Sequence, residues 1–129
     1  MATLATLKLS AAIKPTHMPA VQVRRNKLAC RLWEQTELAS AELFLHGAHL
    51  AAWQPADHRP VLWLSGNSWF EAGKPIRGGV PICFPWFGPH PQDSALPAHG
   101  TARLQEWQLQ TASSGPDGVI RLLLQSMIG

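Results

Sequence analysis

The segment ELASAELFLHGAHLAAW, residues 37–53, decides the fold class. Leu43 and Leu45 alternate with Glu42, Phe44 and His46, the period-two pattern of a strand buried mostly on one face. Gly47 breaks this run and His49 to Trp53 resumes it, so the segment reads as two strands meeting at a corner around His46 and Gly47. Downstream, QPADHRP (54–60) is a turn, Val61 to Leu64 a short apolar strand and SGNS (65–68) another turn. Glu106 to Thr111 and Val119 to Ser126 read as two strands joined through SSGPDG, a strong hairpin signal. Upstream, Val21 to Trp33 accommodates one strand with Arg24, Arg25 and Lys27 toward water. Residues 1–20, with Pro15 and Pro19 and no clear period, read as a flexible lead-in, which leaves 21–129 as the folded unit. No amphipathic helix, repeat or low-complexity tract interrupts the pattern. The expected class is all-β and antiparallel. The final run VIRLLLQSMIG ends without a cap or polar tail, so an exposed sheet edge, open to self-association, is expected there.

Composition narrows the partners. The chain has 129 residues, 46% of them hydrophobic, which is enough for one core. A net charge of +3 favours anions, but eleven scattered basic residues form no nucleic-acid stripe. Cys30 and Cys83 have no metal or redox spacing and read as free thiols in a reducing compartment. No signal-peptide pattern and no apolar run of membrane-spanning length is present, so cytoplasm is the default location and a membrane partner is not expected.

One stretch does not read as core at all. KPIRGGVPICFPWFGPHPQDSALPAHGTAR, residues 74–103, holds two arginines, two histidines, six prolines and three aromatics. Pro75, Pro81, Pro85, Pro89 and Pro91 lack an amide donor, so it cannot run as a central strand or helix. Gly78 and Gly79 permit positive φ and close backbone approach to a ligand. Arg77 and Arg103 carry planar donor forks suited to a carboxylate or phosphate, and His99 precedes Gly100, where a turn can present an imidazole. Such a segment is either an anion-binding site or a Pro-rich surface loop with solvated arginines.

The remaining titratable groups add little chemistry. His46 and His49, three apart on a strand, are expected on opposite faces and unable to share a metal. His58 lies in a turn, His17 in the lead-in, and His90 between prolines. No HxH, CxxC or HExxH spacing occurs, so no metal site is expected. Carboxylates near the stretch are limited to Glu71, Asp93 and Glu106, and there is neither a nucleophile elbow nor a phosphate-cradling glycine loop.

The pieces GAHLAAWQP (47–55), PVLWLS (60–65), KPIRGGVPICFPWFGP (74–89), LPAHGTAR (96–103) and Trp107 together resemble the hexose-6-phosphate mutarotase (glucose-6-phosphate 1-epimerase) branch of the aldose 1-epimerase family. The resemblance implies a galactose mutarotase-like β-supersandwich with a sugar cleft on one side. It also implies anomer interconversion of hexose 6-phosphates by acid–base ring opening, with no metal or organic cofactor and a monomeric full-length protein. By resemblance Arg77 and Arg103 clamp the phosphate, His99 contacts the sugar near the reacting centre, Gly78 lies in the binding loop, and Phe87 with Trp86 walls the cleft. Either aromatic also suits plain core.

Two departures qualify that implication. Thr101 stands where the family more often has a large apolar residue, which alters the packing under His99. Family members are also longer, and their catalytic histidine and glutamate fall in the part that would follow Gly129. The expectation is therefore an N-terminal portion carrying the clamp without the acid–base pair, inactive alone. The alternatives are a non-catalytic phosphosugar-binding module and an inactive fragment.

Overall fold

The structure is a computed structural model that describes residues 3–12, 22–24, 31–35, 39–114 and 119–128. Seven strands are present among them: β1 (Thr3–Ala12), β2 (Gln22–Arg24), β3 (Arg31–Gln35), β4 (Ala39–Phe44), β5 (His49–Pro55), β6 (Gln108–Ser114) and β7 (Val119–Ile128). They form two antiparallel sheets, ordered β1-β7-β6 and β2-β3-β4-β5. No helix among the described residues is long and apolar enough to cross a membrane.

The core lies between the sheets. Leu122, Leu124 and Ile128 take even positions on β7, so alternation turns all three inward. They meet Leu43, Leu45, Ala48, Ala102 and Trp107, with Leu50, Ile82 and Leu109 at the margin. Trp107 is 2% exposed; its indole N–H donates to the Ala102 carbonyl at 2.9 Å, so burying the ring leaves no orphan donor.

The corner at His46 and Gly47 is a tight turn between β4 and β5, as their sequence pattern predicts. Its outer side is sealed from the far end of the site loop. The Gly47 N–H donates to the Gln105 carbonyl at 2.6 Å and the Trp107 N–H to the Leu45 carbonyl at 2.8 Å.

Several expectations are corrected. The lead-in contains β1, whose ten residues pair with β7 from Thr3↔Ile128 to Ala12↔Val119. Alternation over TLATLKLSAA was masked by small residues, and a partner at the far end of the chain supplied the order. The final run is likewise no edge: β7 sits between β1 and β6 with both sides hydrogen-bonded. The single strand expected over Val21 to Trp33 is two, β2 and β3, with Arg25 and Lys27 outside the described residues. Val61 to Leu64 forms no strand; only Leu64 makes an isolated bridge, to Gly78. His17, Cys30 and the turn at 115–118 fall outside the described residues.

β4 is also buried on both faces at its C-terminal end. Leu43 faces the inter-sheet core, while Phe44 packs with Ala51, Ile76, Leu64 and Phe70 in a second cluster. The covering layer on that side is the irregular segment after β5, and this layer carries the candidate site.

Candidate anion and sugar site

From residue 56 to 107 the chain has no strand longer than an isolated bridge, only a 3₁₀ turn at Ala102–Leu104. The prolines explain why, since each removes a ladder donor. Individual bonds dock the segment instead. The Gly79 N–H donates to the Trp63 carbonyl at 2.7 Å and the Val80 N–H to the Leu50 carbonyl at 2.9 Å. The Thr101 and Ala102 N–H groups share the Phe84 carbonyl at 3.0 Å each.

Arg77 sits in a turn gripped from both sides. Its N–H donates to Ser68 Oγ at 3.1 Å, and its carbonyl accepts from the Ser65 N–H at 2.9 Å and from Ser68 Oγ at 3.3 Å. The backbone is therefore fixed while the side chain is exposed. Gly78 adopts φ 91°, and a Cβ there would collide with the Trp63 carbonyl and lie 2.9 Å from Leu64 Cα. The close approach that the Gly-Gly pair provides is thus to the neighbouring backbone, and it lets the Arg77 turn lie flat on residues 63–65.

Arg103 Nη2 donates to the Ala98 carbonyl at 3.0 Å, whereas its buried Nε has no partner. Its guanidinium is less basic than usual, first because of burial and next because of the Arg77 charge, with Cys83 acting in the opposite sense. The Arg77 charge therefore reaches Arg103. Arg103 stays cationic all the same, since guanidinium deprotonates only far above neutral pH. A guanidinium with a desolvated, unpartnered donor and a second arginine acting on it has the chemistry to bind an anion.

The linked residues stand beside them. His99 has φ 67°, uncommon for a side chain with a Cβ. Reciprocal bonds hold it there: the His99 N–H donates to the Gly88 carbonyl at 2.8 Å, and the Gly88 N–H donates to His99 Nδ1 at 3.1 Å. With Nδ1 accepting, the neutral ring carries its proton on Nε2 and presents a donor. Phe87 is 80% exposed, with its ring 4.8 Å from that of His99, so it is not core. Trp86 is instead half-buried, its ring edge-on to that of His90 at 4.5 Å and its N–H on the Pro97 carbonyl at 3.0 Å. Through the Arg103 bond to Ala98, next to His99, the arginine pair joins the Phe87–His99 pair.

His90 serves its own turn, its Nδ1 accepting from the N–H groups of Gln92 and Asp93. Cys83 is a free, half-buried thiol. Among the described residues no group of His, Cys, Asp and Glu is arranged to hold a metal ion.

Sequence reasoning missed His46 and His49. Both are buried, and both reach the Arg77 turn from beneath. His49 Nε2 donates to the Gly78 carbonyl at 2.6 Å and His46 Nε2 to the Lys74 carbonyl at 2.7 Å. The opposite-face expectation fails because His46 belongs to the corner rather than to a continuous strand, so both rings serve one loop. His49 titrates below the ordinary histidine range: burial lowers it most, its bond to Gly78 opposes this, and His46 and Arg103 lower it further. A histidine directly across from Phe44 in an apolar hairpin was the available signal.

Two antiparallel sheets packed as a sandwich are the architecture of the galactose mutarotase-like proteins. The family model for aldose 1-epimerases matches residues 31–126, and the chain belongs to that family. It is 53% identical over 79 residues to the "Putative glucose-6-phosphate 1-epimerase" of Escherichia coli K12, and 49% identical over 80 residues to the Salmonella typhimurium protein of the same name. These matches cover 61% and 62% of this chain but 26% and 27% of the relatives. A solved Salmonella typhimurium structure described as a "putative mutarotase" superposes with a TM-score of 0.72 at 32% identity, covering 92% of this chain and 46% of that one. The chain thus spans under half the length of the solved relative and matches about a quarter of the curated ones.

Proposed function

We propose that this chain is the substrate-binding portion of a hexose-6-phosphate 1-epimerase, with Arg77 and Arg103 as the phosphate clamp and His99 with Phe87 at the sugar. The observation that carries this reading is the buried, unpartnered Arg103 Nε beside the charge of Arg77. The names of the relatives supply the substrate class, glucose 6-phosphate first. Anomer interconversion requires a base to take the O1 proton and an acid to protonate the ring oxygen. His99 Nε2–H is suited to a hydrogen bond with a sugar oxygen, and Phe87 to the apolar face of the ring. The reading includes binding without a complete acid–base pair among the described residues.

Titration of the chain with glucose 6-phosphate and with glucose tests the clamp. Tight binding of the phosphate ester alone, lost in Arg77→Ala and Arg103→Ala, is expected; equal affinity for the two sugars overturns the reading. Anomer exchange followed by NMR separates binding from catalysis. Exchange accelerated by this chain and abolished in His99→Ala would show the acid–base pair to be complete.

A further inference from the structure

We infer that His49, seconded by His46, is the positioning residue of the Arg77 turn: its buried imidazole holds the Gly78 carbonyl and so sets where the guanidinium is presented. As a statement about ligand binding this rests on the clamp reading above.

The argument starts from burial. His49 is 1% exposed, opposite Phe44 and in line with Ala51, a site where an apolar residue would pack without a polar atom to satisfy. Only a bond that the imidazole makes can justify it there, and the bond found is to Gly78, at 2.6 Å. A carbonyl only accepts, so Nε2 carries the proton and its direction is fixed. His46 does the same for Lys74 at 2.7 Å, three residues before Arg77. The two bonds bracket Arg77, tying the turn's backbone to the β4–β5 corner while leaving the arginine side chain outward. The serines hold the turn laterally and the histidines hold it from below. Fit is tight as well, because a Cβ on Gly79 would lie 3.0 Å from His49 Nε2.

The test uses the 129-residue chain with His49→Phe, which keeps a buried ring without the donor, and His49→Gln, which restores a side-chain N–H. Amide hydrogen exchange by NMR is read at Arg77 and Gly79, with Trp107 as the reference in the inter-sheet core. In H49F, exchange at 77 and 79 should rise on the order of tenfold relative to Trp107, the scale of one lost hydrogen bond. The ratio of glucose 6-phosphate to glucose affinity should fall by a similar factor, and H49Q should recover both. Exchange that rises at all three amides together, or at none, overturns the inference, as does an unchanged affinity ratio in a variant whose turn has loosened. If H49F fails to fold, His49→Asn, polar but too short to reach Gly78, takes its place with the same expectations. Should the unmodified chain not distinguish the two sugars, the clamp reading falls, and selective exchange at 77 and 79 still decides whether His49 sets the turn.

Discussion

The two sides of β4 are built on different principles. On one side, Leu43 and Leu45 meet Trp107 and the inward row of β7, a core made of area, in which many contacts share the load. On the other, Phe44 and Ala51 are covered by a segment without strands, pinned by Ile76 and by single bonds from Ser65, Ser68, His46 and His49. The first side owes its stability to pattern and volume. The second owes its shape to individual directional bonds. A segment that carries Arg77 and Arg103 within reach of each other cannot be packed like a core, and here polar anchors sunk into one hold its backbone.

Experiments that probe this division range from large effects to small. Trp107→Ala empties the centre of the packed side and should cost about 3–5 kcal/mol in denaturant unfolding, the usual loss for a buried tryptophan. A loss below about 1 kcal/mol would mean that the inter-sheet core does not dominate. On the other side, Arg103→Ala and Arg77→Ala should each weaken glucose 6-phosphate binding by about 1.5–3 kcal/mol, the worth of a charged hydrogen bond, as read by calorimetry. Arg77→Ala should leave unfolding within about 0.5 kcal/mol of the parent, because its side chain is exposed. Gly78→Ala should cost about 1–3 kcal/mol, because φ 91° is strained for alanine and its Cβ meets the Trp63 carbonyl. Its effect on phosphate affinity should accompany that loss; unchanged affinity would detach the turn's shape from the site.

The smallest effect is pH-dependent. His49 folds with its pKa depressed, chiefly by burial, so below the ordinary histidine value of about 6.5 the unfolded chain binds a proton that the folded chain refuses. Stability should be full above that pH and decline as pH falls beneath it, and His49→Gln should flatten this slope in thermal unfolding between pH 7 and 5. An identical slope in the variant would place the titrating group elsewhere.

Much of this was legible beforehand, unevenly. The hairpin of β4 and β5 and the pairing of β6 with β7 follow from alternation and turn residues, which act locally. The arginines and His99 stood out because charged and polar tips amid prolines have no role in a core. β1 was not legible, since its small residues gain order only by pairing with β7 more than a hundred residues later. Phe87 and Trp86, neighbours of the same chemical kind, could not be told apart; one is exposed against His99 and the other half-buried against His90 and the Pro97 carbonyl.

What the residues determined alone was the all-β class, the loop that could not be a strand, and the cations in it, because periodicity, missing amide donors and charge are properties of the local chain. Only the tertiary structure decided that β7 is central, that β4 is covered on both faces, that Arg77 acts on Arg103, and that His46 and His49 grip the turn between Lys74 and Gly78. Those depend on which distant segments come to lie together, and a hydrogen bond between residues 28 or 29 apart leaves no periodic trace in the sequence.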